Sequence, residues 1–486
     1  MAIATIHAGR GARAVAAAFA LALASGSILS AWDNHEQISA LALASQAWKG
    51  REVKAENLDD FLSATKADLS KVLLAVETKA RKDYPSYRPL PAALVFDPSA
   101  EGDALHASFI GAIRVNPERP ITLFLQVPVG GDRQGRPELA SDKVALGEIR
   151  IPNSPFVALS PGEAVTDLEV VETACDEPDY GMDFGLYQDN GTAWGARYGF
   201  GIQPWGNAKL SYGTQAPFHM SFDNEPGILH ALAKWTTESN SGYRIDLYSA
   251  LSRFAFASGH EYWGWRFAGW ALHYVQDLTQ PYHASIMPSK STFALIMANA
   301  FGSKAEKDGL TTLVSNRHLI LENYQYSVMA AWKGDASANP VYAALAGALT
   351  ASAPGAAASA PGAAASAPGA AAATSGAPGA AAQASGTADV SGKNWAIGLV
   401  AREARARGPT LDRDIVATFP AKYVNDPSFD FGAWQSDTNN AYDPYAELMA
   451  KDPAKVIAFD RELAANLKVT GEVTRRFMEA MAANIR

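Results

Sequence analysis

The sequence predicts a mainly α protein carrying one partly β insertion, and three observations support that reading. Apolar residues recur at three- and four-residue spacing over long stretches at both ends of the chain. Between them, about residues 84–171, prolines, glycines and short β-prone runs take over. A third stretch, about 351–386, repeats Ala-Ser-Ala-Pro-Gly-Ala-Ala units with no aromatic or charged residue, so it cannot bury enough apolar area to offset the entropy of ordering.

The elements follow in order. Arg10 and Arg13 precede an apolar run, Ala14 to Ala24, and then small residues to Ala31. Basic, apolar, then small is the order of a secretory leader, and the run is too short to span a bilayer. The protein is therefore expected to be secreted or periplasmic, without stable membrane insertion, with a leader over 1–31 and one domain over 32–486. Cleavage after Ala24 and after Ala31 are both open; the second makes Trp32 the first residue.

Residues His35 to Lys82 read as helices through Ile38, Leu41, Leu43 and Trp48, then Leu58, Phe61, Leu69, Val72 and Leu73. In the insertion, Ala93-Leu94-Val95-Phe96 and Ile121 to Val127 look like strands. Helical periodicity returns from Gly227 to Tyr282, with a break near Ser239 to Gly242. The aromatic density of Trp263 to His273 predicts a buried central helix. Further helices are expected over Thr311 to Trp332, Trp395 to Arg407 and Pro453 to Ile485. The 351–386 segment reads as a disordered loop, or alternatively as a domain boundary.

Nearly half of the 486 residues are apolar, enough for a large core. A net charge of −9 argues against a general polyanion-binding surface, so nucleic acid is a disfavoured partner. Cys175 is the only cysteine, which excludes intrachain disulfides and thiolate metal clusters. Any bound metal must be held by histidines and carboxylates.

Those residues occur in a telling pattern. His273 and Asp277 stand at i and i+4 and share a helix face. Pro281 then turns the chain, so His283 can reach the same place. His318 and Glu322 repeat the i, i+4 spacing. Two such pairs point to a multi-metal hydrolytic site. A lone histidine is more often a satisfied core or surface residue, and His106, His230 and His260, which lack such partners, read that way.

The run Trp270-Ala-Leu-His273-Tyr-Val-Gln-Asp277-Leu-Thr-Gln-Pro281-Tyr-His283-Ala284 closely resembles the central motif of the zinc-dependent phospholipase C / P1 nuclease superfamily. The resemblance implies a multi-helix bundle holding three Zn2+ ions at the base of a cleft. It also implies a mature N-terminal Trp whose amino group and carbonyl oxygen ligate zinc. Trp32-Asp33-Asn34-His35 fits that pattern and favours cleavage after Ala31. Residue by residue, the implied ligands are Trp32, His35, Asp179, His219, His273, Asp277, His283, His318 and Glu322. Asp277 would bridge two zincs, and His283, His318 and Glu322 would hold the third.

Asp179 comes from Glu177-Pro178-Asp179-Tyr180, with Asp176 and Asp183 as rivals. His219 comes from Phe218-His219-Met220, without the family's usual continuation. The insertion and the 351–386 segment lie outside the resemblance. Its chemistry is attack of zinc-activated water on a phosphodiester, with Asp179 as general base. Glu322 and the Pro-Asp-Tyr segment lean towards a monomeric phospholipase C acting on phosphatidylcholine-like lipids at a membrane surface. The alternative is a single-strand nuclease or 3′-nucleotidase. A non-enzymatic secreted binding protein is a third reading, set against nine candidate ligands, more than a closed four-coordinate structural site needs.

Overall fold

In the computed structural model, residues 32, 34–128, 131–146, 154–209, 211–347, 389–438 and 442–485 are described. The leader expected over 1–31 and the segment expected as a loop over 351–386 lie outside them. Helix makes up 62% and strand 4%, so the mainly α class holds.

The helix Glu261–Asp277 forms the centre, and every residue from Tyr262 to Asp277 is buried. Bulky Trp263, Trp265, Phe267 and Trp270 supply its apolar contacts, while two glycines set how near its neighbours come. A Cβ at Gly269 would stand 2.5 Å from Ala174 Cβ and 3.0 Å from the Val171 carbonyl oxygen. Helix Asp167–Asp176 thus approaches the central helix at a distance only glycine permits. A capping box of Thr166 and Glu169 fixes where that helix begins. On another side, Gly264 admits the Phe256 ring of helix Ser241–Ala257. Helices His35–Leu43 and Pro453–Ala482 complete the packing. A second core gathers Trp32, Ile320, Tyr324 and Phe459, where the long helix Lys304–Ala330 joins the C-terminal helix.

The β structure is slight. Strand β1 (Glu52–Lys54) precedes the expected insertion, which contains β2 (Phe124–Gln126), β3 (Glu138–Leu139), β4 (Phe156–Ala158) and β5 (Ala164–Thr166). β1 pairs antiparallel with β5, Val53 opposite Val165, and β2, β4 and β3 form a second antiparallel sheet in that order.

Several expectations are corrected. Ala93 to Phe96 forms no strand: Pro91 leads into a 3-10 turn, Ala92–Leu94. Helix Gly102–Ile113 was not foreseen, although Leu105, Phe109, Ile110 and Ile113 bury one face. The helix expected from Thr311 starts earlier, at Lys304, where Ser303 and Glu306 form a capping box. The helix expected over Trp395 to Arg407 begins as a π-helix, Gly392–Ala401, and continues as Arg402–Thr418. The break near Ser239 is present, since a helix starts at Ser241, and a second falls at Ser258 to His260. Among the described residues, no helix is long and apolar enough to cross a membrane.

Candidate metal centre

Asp277 is the last residue of the central helix, and His273 lies one turn before it. Both of its carboxylate oxygens are buried and accept no hydrogen bond. They face opposite ways. Oδ1 lies 3.3 Å from His35 Nε2, whereas Oδ2 lies 2.9 Å from His219 Nδ1 and 3.4 Å from His273 Nε2. A buried carboxylate facing three imidazoles without hydrogen bonds is a place where a cation could be shared.

Among the described residues, three buried His/Asp/Glu clusters could hold metal ions: His35, His273 and Asp277; Asp179, His219 and His273; and His283, His318 and Glu322. Within each cluster the ligand-type atoms lie within 4.8 Å of one another. Two donors about 2.0–2.1 Å from a tetrahedral ion stand about 3.3 Å apart. The His35–Asp277 and His273–Asp277 separations match that spacing, and Asp179 Oδ1 is 3.7 Å from His219 Nδ1 and 3.8 Å from His273 Nε2. The residues therefore fit metal. In the third cluster His318 Nε2 and Glu322 Oε1 are only 2.6 Å apart, and these two would separate to share an ion.

The imidazoles are oriented from behind. His273 donates from Nδ1 to the Cys175 carbonyl oxygen at 2.8 Å, a contact made possible by the close approach at Gly269. His35 donates from Nδ1 to Gln276 Oε1 at 2.7 Å. Gln276 is itself held the right way round, its Nε2 donating to Ser39 Oγ and Thr474 Oγ1. His283 donates from Nδ1 to the His219 carbonyl oxygen at 3.1 Å. Each of these rings presents Nε2 to a cluster, the arrangement that carbonyl partners impose on metal-ligating histidines. His219 is turned the other way, with Nε2 3.4 Å from Asp183 Oδ2 and Nδ1 inward.

The rivals of Asp179 are thereby placed. Asp176 accepts from the Glu36 amide at 3.0 Å and from Gln126 Nε2 at 2.9 Å, so both oxygens serve the scaffold. Asp183 accepts from Arg244 and from the Tyr274 hydroxyl, each at 2.6 Å. Of the three, Asp179 is the one that turns an oxygen to both His219 and His273, steadied by Gln215 Nε2 at 3.2 Å. Its side chain is 18% exposed, against 3% or less for His219, His273 and Asp277, so solvent reaches the clusters there. Trp32 is anchored by its indole, which donates to Thr279 Oγ1 at 3.0 Å just past Asp277. His106, His230 and His260 bond to Asp59, Thr236 and Glu56 instead, away from the clusters.

Three contributors were missed by sequence reasoning. Gln276 and Gln280 stand inside the quoted motif, yet nothing in their spacing marked them. Gln280 Nε2 donates to His318 Nε2 and to Glu322 Oε1, both at 3.0 Å. Arg244 carried no signal at all. Compared with known proteins, the chain matches no family model, no curated protein and no solved structure.

Protonation divides the clusters. Burial lowers His283 to about 4 and holds His318 well below the usual imidazole range. Burial also lowers His219, but the Asp183 and Asp277 carboxylates beside it outweigh that and push the ring up to about 10. His35 is likewise raised by Asp277 against the effect of burial, and burial pushes Asp179 up to about 7. A raised pKa means a proton that metal must expel. Ions entering beside Asp277 should therefore release protons and bind more weakly as pH falls. Their affinity should drop about tenfold per pH unit for each proton displaced, between about pH 8 and 6. The His283/His318/Glu322 cluster, its histidines already neutral, should show no such histidine release in that window. Zinc titration in weak buffer with a pH indicator checks this; equal proton release at every site would contradict it.

Proposed function

We propose that this protein is a three-zinc phosphodiesterase, a phospholipase C that cleaves phosphatidylcholine-like lipids on the glycerol side of the phosphate. The observation that carries the reading is Asp277, whose two unbonded buried oxygens face two clusters of imidazoles. The nine residues carried over from the superfamily motif support it, since eight of them make up the three clusters.

Trp32 and His35 would hold one Zn2+ with Asp277; Asp179, His219, His273 and Asp277 a second; His283, His318 and Glu322 a third. Bound there, zinc supplies Lewis-acid charge against phosphoryl oxygens and lowers the pKa of water. The chain does the rest. Asp179, at the open edge, would take the proton from the attacking water on the carboxylate oxygen turned away from His219 and His273. That water forms the new P–O bond as the glycerol oxygen leaves and is reprotonated, giving diacylglycerol and a phosphorylated headgroup. Gln276, the Cys175 carbonyl and Asp183 keep the imidazoles from rotating.

Two features favour lipid over nucleic acid. A narrow pocket beside His318 is walled largely by apolar side chains, Trp205, Met220, Phe222, Tyr282 and Ile286. The net charge of −9 opposes a polyanion. The test is hydrolysis by protein starting at Trp32, with excess zinc, on phosphatidylcholine and single-stranded DNA in parallel. Lipid cleavage alone is expected. DNA cleavage alone would transfer the same site to a nuclease, and no cleavage with three zincs bound would remove the enzymatic reading.

A further inference from the structure

The stretch from Ile286 to Ser303 contains one charged residue, Lys290, and most of it is the helix Thr292–Phe301. Leu295 on that helix is buried, but Phe293 is 71%, Met297 40% and Phe301 79% exposed. Spacing of i, i+4 and i+8 sets these three in one stripe on the outer face. A second short helix, Gly227–Leu232, repeats the arrangement, with Leu229 inside and Ile228 and Leu232 outside.

Both helices rest on one small core. Leu295 and Leu229 join a cluster that includes Met220, next to His219, and Ile286 and Met287, which closely follow His283. Val314, one turn before His318, packs against the same cluster. The exposed stripe is thus mounted on the segments that carry the candidate ligands, and the apolar pocket beside His318 opens within them. Exposed Lys290 precedes the helix and exposed Lys304, which pairs with Asp308, follows it.

We propose that helix Thr292–Phe301, flanked by helix Gly227–Leu232, is an interfacial anchor that seats the mouth of the site on a phospholipid surface. The occupant follows from the chemistry of the face. Large apolar side chains without charge between them, preceded by exposed Lys290, whose ammonium group can reach lipid phosphates, match the boundary between acyl chains and headgroups. At ten residues the helix lies in that plane and does not cross it. The inference rests on the lipid reading of the metal centre for its purpose, but docking itself can be measured without turnover.

The probe is vesicles of phosphatidylcholine with a minor fraction of phosphatidylserine. The variant replaces Phe293, Met297 and Phe301 by Ser, all outside the ligand set. Partitioning to vesicles should fall by about tenfold or more. Zinc content, and cleavage of a monomeric short-chain phosphatidylcholine, should stay unchanged while cleavage of vesicle lipid falls. A second arm uses Phe293→Cys carrying an environment-sensitive fluorophore, selective because the only native thiol, Cys175, is buried. Its emission should shift to the blue on adding vesicles. Unchanged partitioning of the triple variant, or no shift from the label, overturns the proposal. So does sedimentation showing that the stripe joins two copies of the chain in solution. If wild type binds vesicles through the stripe but cleaves no lipid, docking stands and the phospholipase reading alone fails.

Discussion

On the proposed three-zinc reading, Asp277→Asn should remove two of the three ions and sharply reduce hydrolysis, while leaving the fold in place. Asparagine keeps the size of the side chain but replaces one carboxylate oxygen with an amide donor, which cannot face a cation. Oδ1 lies nearest His35 and Oδ2 nearest His219 and His273, so one substitution would disturb both ions proposed there. His283, His318 and Glu322 do not include Asp277 and should keep their ion. Turnover should fall by roughly 10²–10³-fold or more, the scale for losing a group that organises charge at a reacting centre. Metal analysis by mass spectrometry, beside circular dichroism, reads both parts. Full metal content in a folded variant would show that Asp277 bridges nothing.

Arg244→Met should cost about 3–5 kcal/mol of stability, because it strands a buried carboxylate. The Arg244 side chain is inaccessible, and it donates to the Ile113 and Arg114 carbonyl oxygens as well as to Asp183. Burial alone would raise the Asp183 carboxyl, yet Arg244 and His219 hold it below the usual range. Without the guanidinium, Asp183 loses its countercharge and the His219 ring loses a fixed partner. Weaker metal binding in the Asp179/His219/His273 cluster should therefore accompany the lower stability. Adding Asp183→Asn removes the stranded charge and should recover part of the stability. Chemical denaturation of the two single variants and the double variant measures this. A loss below about 1 kcal/mol for Arg244→Met would mean that water or another group compensates the charge.

Helix Glu261–Asp277 was legible because its information is local. A buried helix needs apolar residues on every face, and its aromatic run says so within a few turns. The pairs His273/Asp277 and His318/Glu322 were legible for the same reason, since i and i+4 share a face whatever the tertiary fold. Of the slight β structure, β2 (Phe124–Gln126) falls within the run expected as a strand, Ile121 to Val127, while the rest was legible only as a change in composition. Its strands are two or three residues long, too short for a two-residue period to appear. Helix Gly102–Ile113 was missed because surrounding prolines and glycines outweighed its own apolar spacing.

By itself, the sequence determined which residue types must hold any metal, through the solitary Cys175, and placed two ligand pairs on helix faces. It could not choose among Asp176, Asp179 and Asp183, three carboxylates in one short stretch. That choice depends on which donors arrive from distant segments. The Glu36 amide and Gln126 take up Asp176, and Arg244 and Tyr274 take up Asp183, leaving Asp179 facing the imidazoles. The same holds for the Cys175 carbonyl behind His273, which reaches it only because Gly269 lets two helices touch. Spacing along a helix is a local property, whereas a buried carboxylate's role is decided by the partners that packing brings to it.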